Sequence, residues 1–244
     1  MNQAIAVKVM PHDGQYLTDI DWHTANVSAI CYDLEMVAFY SQDVKPSWET
    51  IADKIHPWPN SVILDLRNLS FKKDKLTLQS PLNGQKHRID WGPWLMEAIC
   101  QLDYYWLMPD RSLLADSVVD WISQLPQHKL VQLSSIINPS KAWQLFEERQ
   151  AFCLETLDQQ HTWLLTEQLC PKSTAGLLLD EHGIYQITDD QWVSSTKPLA
   201  NRCDCEACGL GLQRCYFHHL HSYVPLLANR YLTMHNLCQL KFYI

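Results

Sequence analysis

Apolar and polar positions change period several times along the chain, and the changes mark alternating strands and helices. Residues 27–32 form one short strand-like run. Residues 61–66 form another, entered through the breaker Pro57-Trp58-Pro59-Asn60. Over 75–80 polar and apolar residues alternate, Pro81-Leu82-Asn83-Gly84 turns the chain, and 86–89 returns, which is the pattern of a hairpin. Gly92-Pro93 opens a helix over 94–102, followed by a short strand at 104–108. Helical spacing over 112–125 stops before Pro126, residues 130–137 are strand-like, and Asn138-Pro139-Ser140 starts a helix over 141–152. Strands alternating with helices in this way predict an α/β protein built on a parallel sheet.

Composition narrows the chemistry. The 244 residues are 47% hydrophobic with a formal charge of −8, an ordinary globular balance. Only 7 are glycine, and neither GxGxxG nor GxxxxGK[ST] occurs, so a phosphate-cradling loop is not expected. The longest apolar stretches, 112–122 and 224–228, fall short of the ~18 residues of a membrane span. The first residues lack the pattern of a secretory leader, so a cytoplasmic protein without membrane contact is expected. Nine cysteines, with four crowded into 203–215, favour metal ligation over a disulfide framework.

Charge is unevenly placed. Between Arg67 and Arg88 the basic residues Arg67, Lys72, Lys73, Lys75, Lys86 and Arg88 face a single acid, Asp74. On an otherwise acidic chain such a patch can draw nucleic acid to one face. It also suits a solvated hairpin whose lysines protect an edge strand. Lys72, Lys73, Lys75, Lys86 and Arg88 are the candidate nucleic-acid contacts.

The most specific chemistry lies near the end. Cys203, Cys205 and Cys208 fall within six residues, and His235 follows in Leu232-Thr233-Met234-His235-Asn236. Three thiolates and one imidazole form a closed tetrahedral set, the arrangement of structural zinc. The spacing needs a helix over about 212–231 to return His235, with Pro225 kinking or dividing it. Cys215 in place of His235 would instead give a Cys₄ zinc or iron–sulfur site. His218, His219 and His221 receive no role.

These residues resemble the tRNA-guanine transglycosylases, which exchange a guanine in tRNA for a 7-deazaguanine such as queuine or its precursor. The family's zinc signature is C-x-C-x-x-C, then a Tyr-x-His-His-Leu helix, then Leu-x-Thr-x-His-Asn. It is matched at Cys203, Cys205, Cys208, Tyr216, His218, His219, Leu220, Leu232, Thr233, His235 and Asn236, with one residue inserted before Tyr216. The segment 76–87 is similar to the family's V-x-F-x-S-x-x-D-G-x-x-H hairpin, with Asn83 for its Asp. The resemblance implies a TIM (β/α) barrel over 1–200 followed by a zinc-binding subdomain over 201–244, with tRNA as partner. It also implies pairing through the zinc-bearing region, as a homodimer or as a heterodimer with a catalytic transglycosylase. Two hundred residues are few for a barrel that typically takes ~250. A contracted or partial barrel is therefore expected, with sheet edges that a partner would cover.

The family's catalytic motifs are altered. Its Asp-Ser-Gly-Gly-Phe-Gln segment corresponds to 63–69, which keeps Asp65 and no glycine. Its base-recognising Asp falls near Asp110, and its Gly-Gly-Leu turn has no counterpart. Its Asp nucleophile, which attacks the ribose C1′, is matched nearest by Glu167 in Thr166-Glu167-Gln168-Leu169-Cys170-Pro171-Lys172, one carbon longer and read here as part of an exposed helix turn. An error of ~1 Å in such an attack can cost ~100-fold in rate. The expectation is a non-catalytic tRNA-binding or accessory relative. The alternatives are a divergent active transglycosylase or nucleosidase using Asp65 or Asp110 with Glu167, and a metal-sensing or iron–sulfur protein sharing only the cysteines.

Overall fold

The computed structural model describes residues 4–9, 27–34, 47–55, 61–72, 75–79, 86–110, 112, 114, 116–135, 147 and 152–240. In chain order the strands are β1 (Ile5–Val9), β2 (Val27–Asp33), β3 (Ser61–Asp65), β4 (Ser70–Lys72), β5 (Lys75–Gln79) and β6 (Lys86–Asp90). They continue with β7 (Tyr105–Leu107), β8 (Leu130–Ser135), β9 (Phe152–Thr156), β10 (Thr162–Thr166), β11 (Leu177–Asp180) and β12 (Gly183–Gln186). The helices are α1 (Trp48–Lys54), α2 (Trp91–Gln101), α3 (Asp116–Ile122), α4 (Leu169–Thr174), α5 (Glu206–Gly209), α6 (Arg214–Tyr223) and α7 (Pro225–Leu240).

Seven strands close a barrel in the order β1-β10-β9-β8-β7-β3-β2. All neighbouring pairs are parallel except those of β9, which runs antiparallel to both β8 and β10. This reversed strand joins β10 through a tight hairpin in which Gln159 takes φ 60°. The barrel therefore closes with seven strands, and the expected open edges do not occur among them.

Alternation along each strand sorts side chains inward and outward. Ala6, Ala29, Cys31, Ile63, Leu107, Val131, Leu154, Trp163 and Leu165 form the inner cluster. Ile5, Val7, Ile30, Tyr32, Leu64, Trp106 and Leu164 belong to a separate cluster with the helices. There the Trp48 Nε1 donates to the Trp94 carbonyl at 2.5 Å, the two rings stack at 4.2 Å, and Trp106 meets Trp48 edge-on at 5.6 Å. Three indoles thus fasten α1 and α2 to β7.

The predicted hairpin is present as β5 and β6, with β4 added on the far side of β5. The helix expected over 141–152 lies outside the described residues except for Glu147, which is helical, and for Phe152, which already begins β9. Pro225 divides the expected 212–231 helix into α6 and α7. No described helix is long and apolar enough to cross a membrane.

Candidate metal centre and the carboxyl mouth of the barrel

Cys203 precedes the short helix α5, Cys205 is its N-cap residue, and Cys208 lies within it. His235 comes from the fully buried middle of α7. The ligating atoms of Cys203, Cys205, Cys208 and His235 all lie within 4.8 Å of one another. His235 Nδ1 is 3.3 Å from Cys208 Sγ and 3.7 Å from Cys205 Sγ, while its Nε2 sits 2.9 Å from the Leu179 carbonyl oxygen. A carbonyl only accepts, so Nε2 carries the proton and donates, and the Nδ1 lone pair is turned toward the sulfurs.

Neighbouring contacts hold α7 in that position. Asn236 accepts from the Leu179 backbone N–H at 2.8 Å and donates to the Leu177 carbonyl at 2.8 Å and to Ser173 Oγ at 3.1 Å. Arg214 donates to Asp180 at 2.5 Å and lies over the rings of Tyr185 and Trp192. The β11–β12 hairpin and α4 are therefore the seat on which the helix that carries His235 rests.

The electrostatics suit a cation. Burial opposes a charged His235, but the Cys203 and Cys205 sulfurs outweigh it and hold the imidazole up at about 9. Hydrogen bonds from Cys205, Cys208 and Cys238 pull the Cys203 thiol far below its ordinary range. Hydrogen bonds with Cys203 and Cys205 push Cys208 far above it. Such a cluster shares protons that a divalent ion would displace. Three sulfurs and one nitrogen fit a tetrahedral soft-metal site. Cys215 lies apart, its Sγ 3.8 Å from Gln213 Oε1, so the Cys₄ alternative is not assembled. Of the other histidines, His219 packs on Tyr223 with centroids 4.3 Å apart, and His221 Nε2 lies 3.2 Å from the Thr174 carbonyl oxygen.

The second polar cluster sits at the barrel's carboxyl mouth, where barrel enzymes place their chemistry. Inward parity carries Ala6 to Lys8, Cys31 to Asp33, Ile63 to Asp65 and Leu165 to Glu167. Asp65 has no exposed side-chain surface and receives Lys8 Nζ at 2.7 Å and Arg67 through its backbone N, Nε and Nη2 at 3.0, 2.8 and 2.6 Å. Arg67 Nη2 also donates to Glu167 at 2.6 Å, and Lys8 Nζ is 3.7 Å from the same carboxylate. Alongside, Asn68 donates to Asp33 at 2.5 Å. Burial would raise the Asp65 pKa, but the Arg67 hydrogen bonds and the Lys8 charge prevail and hold it below the ordinary range. The same network raises Arg67 and Lys8 against their own burial.

The sequence candidates are thus redistributed. Asp65 and Glu167 come together, and Glu167 is not on an exposed turn, since 19% of its side chain is exposed and it is paired with two cations. Asp110 is separate and exposed, accepting from the Ser112 N–H and hydroxyl at 2.8 and 2.7 Å. Arg67 belongs to the mouth and not to the basic patch. Lys8 and Asp33, absent from the sequence candidates, become readable only once strand parity is known. In the β5–β6 register Lys75 faces Asp90, Thr77 faces Arg88 and Gln79 faces Lys86, so these six share one face. On it Lys86 and Arg88 are exposed and Lys75 pairs with Asp90. Lys72 pairs with Lys75 in the β4–β5 register, and Lys73 lies outside the described residues.

Residues 163–243 match the family model described as Queuine tRNA-ribosyltransferase. Over 62 residues the chain is 37% identical to the queuine tRNA-ribosyltransferases of Methylobacillus flagellatus and Thiobacillus denitrificans. Those residues are 25% of this chain and only 16% and 17% of the two relatives. The segment that carries the Cys203, Cys205, Cys208 and His235 cluster is thus similar to the queuine tRNA-ribosyltransferases.

Proposed function

We propose that the chain is a cytoplasmic, non-catalytic tRNA-binding relative of the transglycosylases, an accessory to queuosine-type tRNA modification. The observation that carries this reading is the saturation of Asp65. An ionised carboxylate offers about four acceptor positions, and Lys8 and Arg67 fill four. A carboxylate so engaged neither attacks a ribose carbon nor accepts a substrate proton without first breaking a buried ion pair. Glu167, the other candidate, is tied to the same Arg67.

In this reading the 1–200 region is a contracted TIM-type barrel and 201–244 is its zinc-bearing subdomain. Zinc held by Cys203, Cys205, Cys208 and His235 supplies a cross-link with no open coordination position, which is a structural role. The basic residues Lys72, Lys73, Lys75, Lys86 and Arg88 contact tRNA phosphates. Tyr223 and Leu226 are 73% and 64% exposed, and with Tyr216 and Val224 they line the α6–α7 elbow. That apolar surface supports pairing, either with a second copy or with a catalytic transglycosylase.

The test is incorporation of labelled guanine into tRNA by zinc-loaded protein, alone and mixed with an active transglycosylase. No incorporation alone and a changed rate in the mixture are expected. Incorporation by the protein alone would overturn this reading in favour of a divergent enzyme using Asp65 and Glu167.

A further inference from the structure

One buried carboxylate takes no part in either cluster. Glu147 is 5% exposed and sits against the turn that leads from β10 into α4. Its Oε1 accepts from the Thr166 hydroxyl at 2.5 Å, and its Oε2 accepts from the backbone N–H groups of Glu167 and Gln168 at 3.0 and 3.3 Å. None of these three donors carries a charge. The charged groups on the elements around it are Glu167, whose own carboxylate pairs with Arg67 and Lys8, and Lys172 within α4. Among the described residues no cation pairs with Glu147, and the Glu167 charge repels it. Burial pushes its carboxyl up to about 7, against the pull of the three hydrogen bonds and with that repulsion added.

The turn links two parts of the fold. Glu167 continues to Arg67 and so to Asp65. The Gln168 carbonyl accepts the Lys172 N–H at 2.9 Å at the start of α4, and at the other end of that helix Ser173 and Thr174 hold Asn236 and Asn229 of α7 at 3.1 and 2.8 Å. Glu147 is thus bonded to the point where the barrel mouth joins the seat of α7.

We propose that Glu147 is a proton switch for this turn: as a neutral acid it keeps the turn closed, and on losing its proton to solvent it leaves its buried position, opening the turn and withdrawing Glu167 from Arg67. The direction follows from linkage. A closed state that raises the pKa of a carboxyl binds the proton more tightly than an open state, in which the carboxyl meets water at its ordinary value of about 4.3. Opening is therefore rarest below that value and grows about tenfold per pH unit above it. It levels off once pH passes the closed-state value of about 7.

The test is amide hydrogen exchange of the full chain in excess zinc, followed residue by residue by NMR between about pH 5 and 8 and expressed as protection, which removes the intrinsic pH dependence of exchange. The Glu167 and Gln168 amides report directly, because they exchange only when their bonds to Glu147 break. Expected at these two is a loss of protection of about tenfold per pH unit up to about 7, then a plateau, while the amides of β2 and β3 stay protected. Glu147→Gln offers a carbonyl to both N–H groups and an amide to Thr166, cannot titrate, and should hold the two amides at constant protection. Protection at Glu167 and Gln168 that does not change with pH, an equal loss throughout β2 and β3, or the same pH dependence in Glu147→Gln would overturn the switch. The wild-type series decides the matter even if the variant does not fold.

Discussion

Arg67 joins its neighbour Asp65 to Glu167, 100 residues further along the chain than Arg67 itself: its Nη2 lies 2.6 Å from an oxygen of each. One guanidinium thereby ties β3 to the end of β10 at the mouth of the barrel and, with Lys8, pairs with two of the three carboxylates that sequence singles out for catalysis.

Arg67→Met should be strongly destabilising. Removing one member of a buried ion pair and leaving the other uncompensated costs about 3–5 kcal/mol. Asp65 keeps Lys8 at 2.7 Å and Arg67 is 21% exposed, so the lower end of that range is expected, read as a reduced urea midpoint. A change indistinguishable from zero would mean that the network contributes nothing net.

Acid should weaken the same network. The folded-state pKa of Asp65 is depressed, so its stabilisation is complete above the unfolded value of ~3.9 and disappears as pH falls through the lower folded value. Asp65→Asn should flatten this acid limb of the stability curve. Lys8, whose pKa is raised, acts in the opposite window, stabilising fully below ~10.4 and losing its effect as pH climbs through the raised value.

His235→Ala should abolish stoichiometric zinc binding and loosen α7, visible as a lower thermal midpoint that chelator no longer shifts. In the wild type, apparent zinc affinity should rise as pH climbs through about 9, because the metal must displace the proton that His235 holds up to that value and the Cys208 proton held higher still. Affinity independent of pH between 6 and 9 would mean that binding displaces no proton from this cluster.

Neutralising Lys86 and Arg88 together should weaken tRNA binding and reduce its salt dependence. Each phosphate contact contributes about 0.7–0.9 to the log–log slope, so a loss of roughly 1.4–1.8 is expected from titrations at several salt concentrations. An unchanged slope would separate this sheet from tRNA.

The metal cluster is legible in sequence because its information is largely local: three cysteines in six residues need no tertiary context, while the choice of His235 over Cys215 as the fourth donor is made by the packing of α7. Strands β2, β3 and β7 are legible for a similar reason, as apolar runs bounded by turn residues. The antiparallel direction of β9 is not, because nothing in Phe152–Thr156 encodes orientation; the hairpin into β10 does. Nor is the role of Lys8. In Ile5–Val9 it reads as one charge in an apolar run, and only barrel closure turns it inward to meet Asp65 from another strand. Arg67 falls within the basic run of the sequence but not of the fold, because linear charge density carries no information about which side chains face inward.

The bond from His235 to the Leu179 carbonyl has a consequence for how this chain can vary. Leu179 pairs with Ile184 in a hairpin of only two short strands. A shift of that pairing by one position would withdraw the carbonyl, release the imidazole to rotate, and turn its lone pair away from the sulfurs. Strand alignment and metal affinity are therefore inherited together: an insertion in the β11–β12 turn would be felt as a chelation defect some fifty residues downstream.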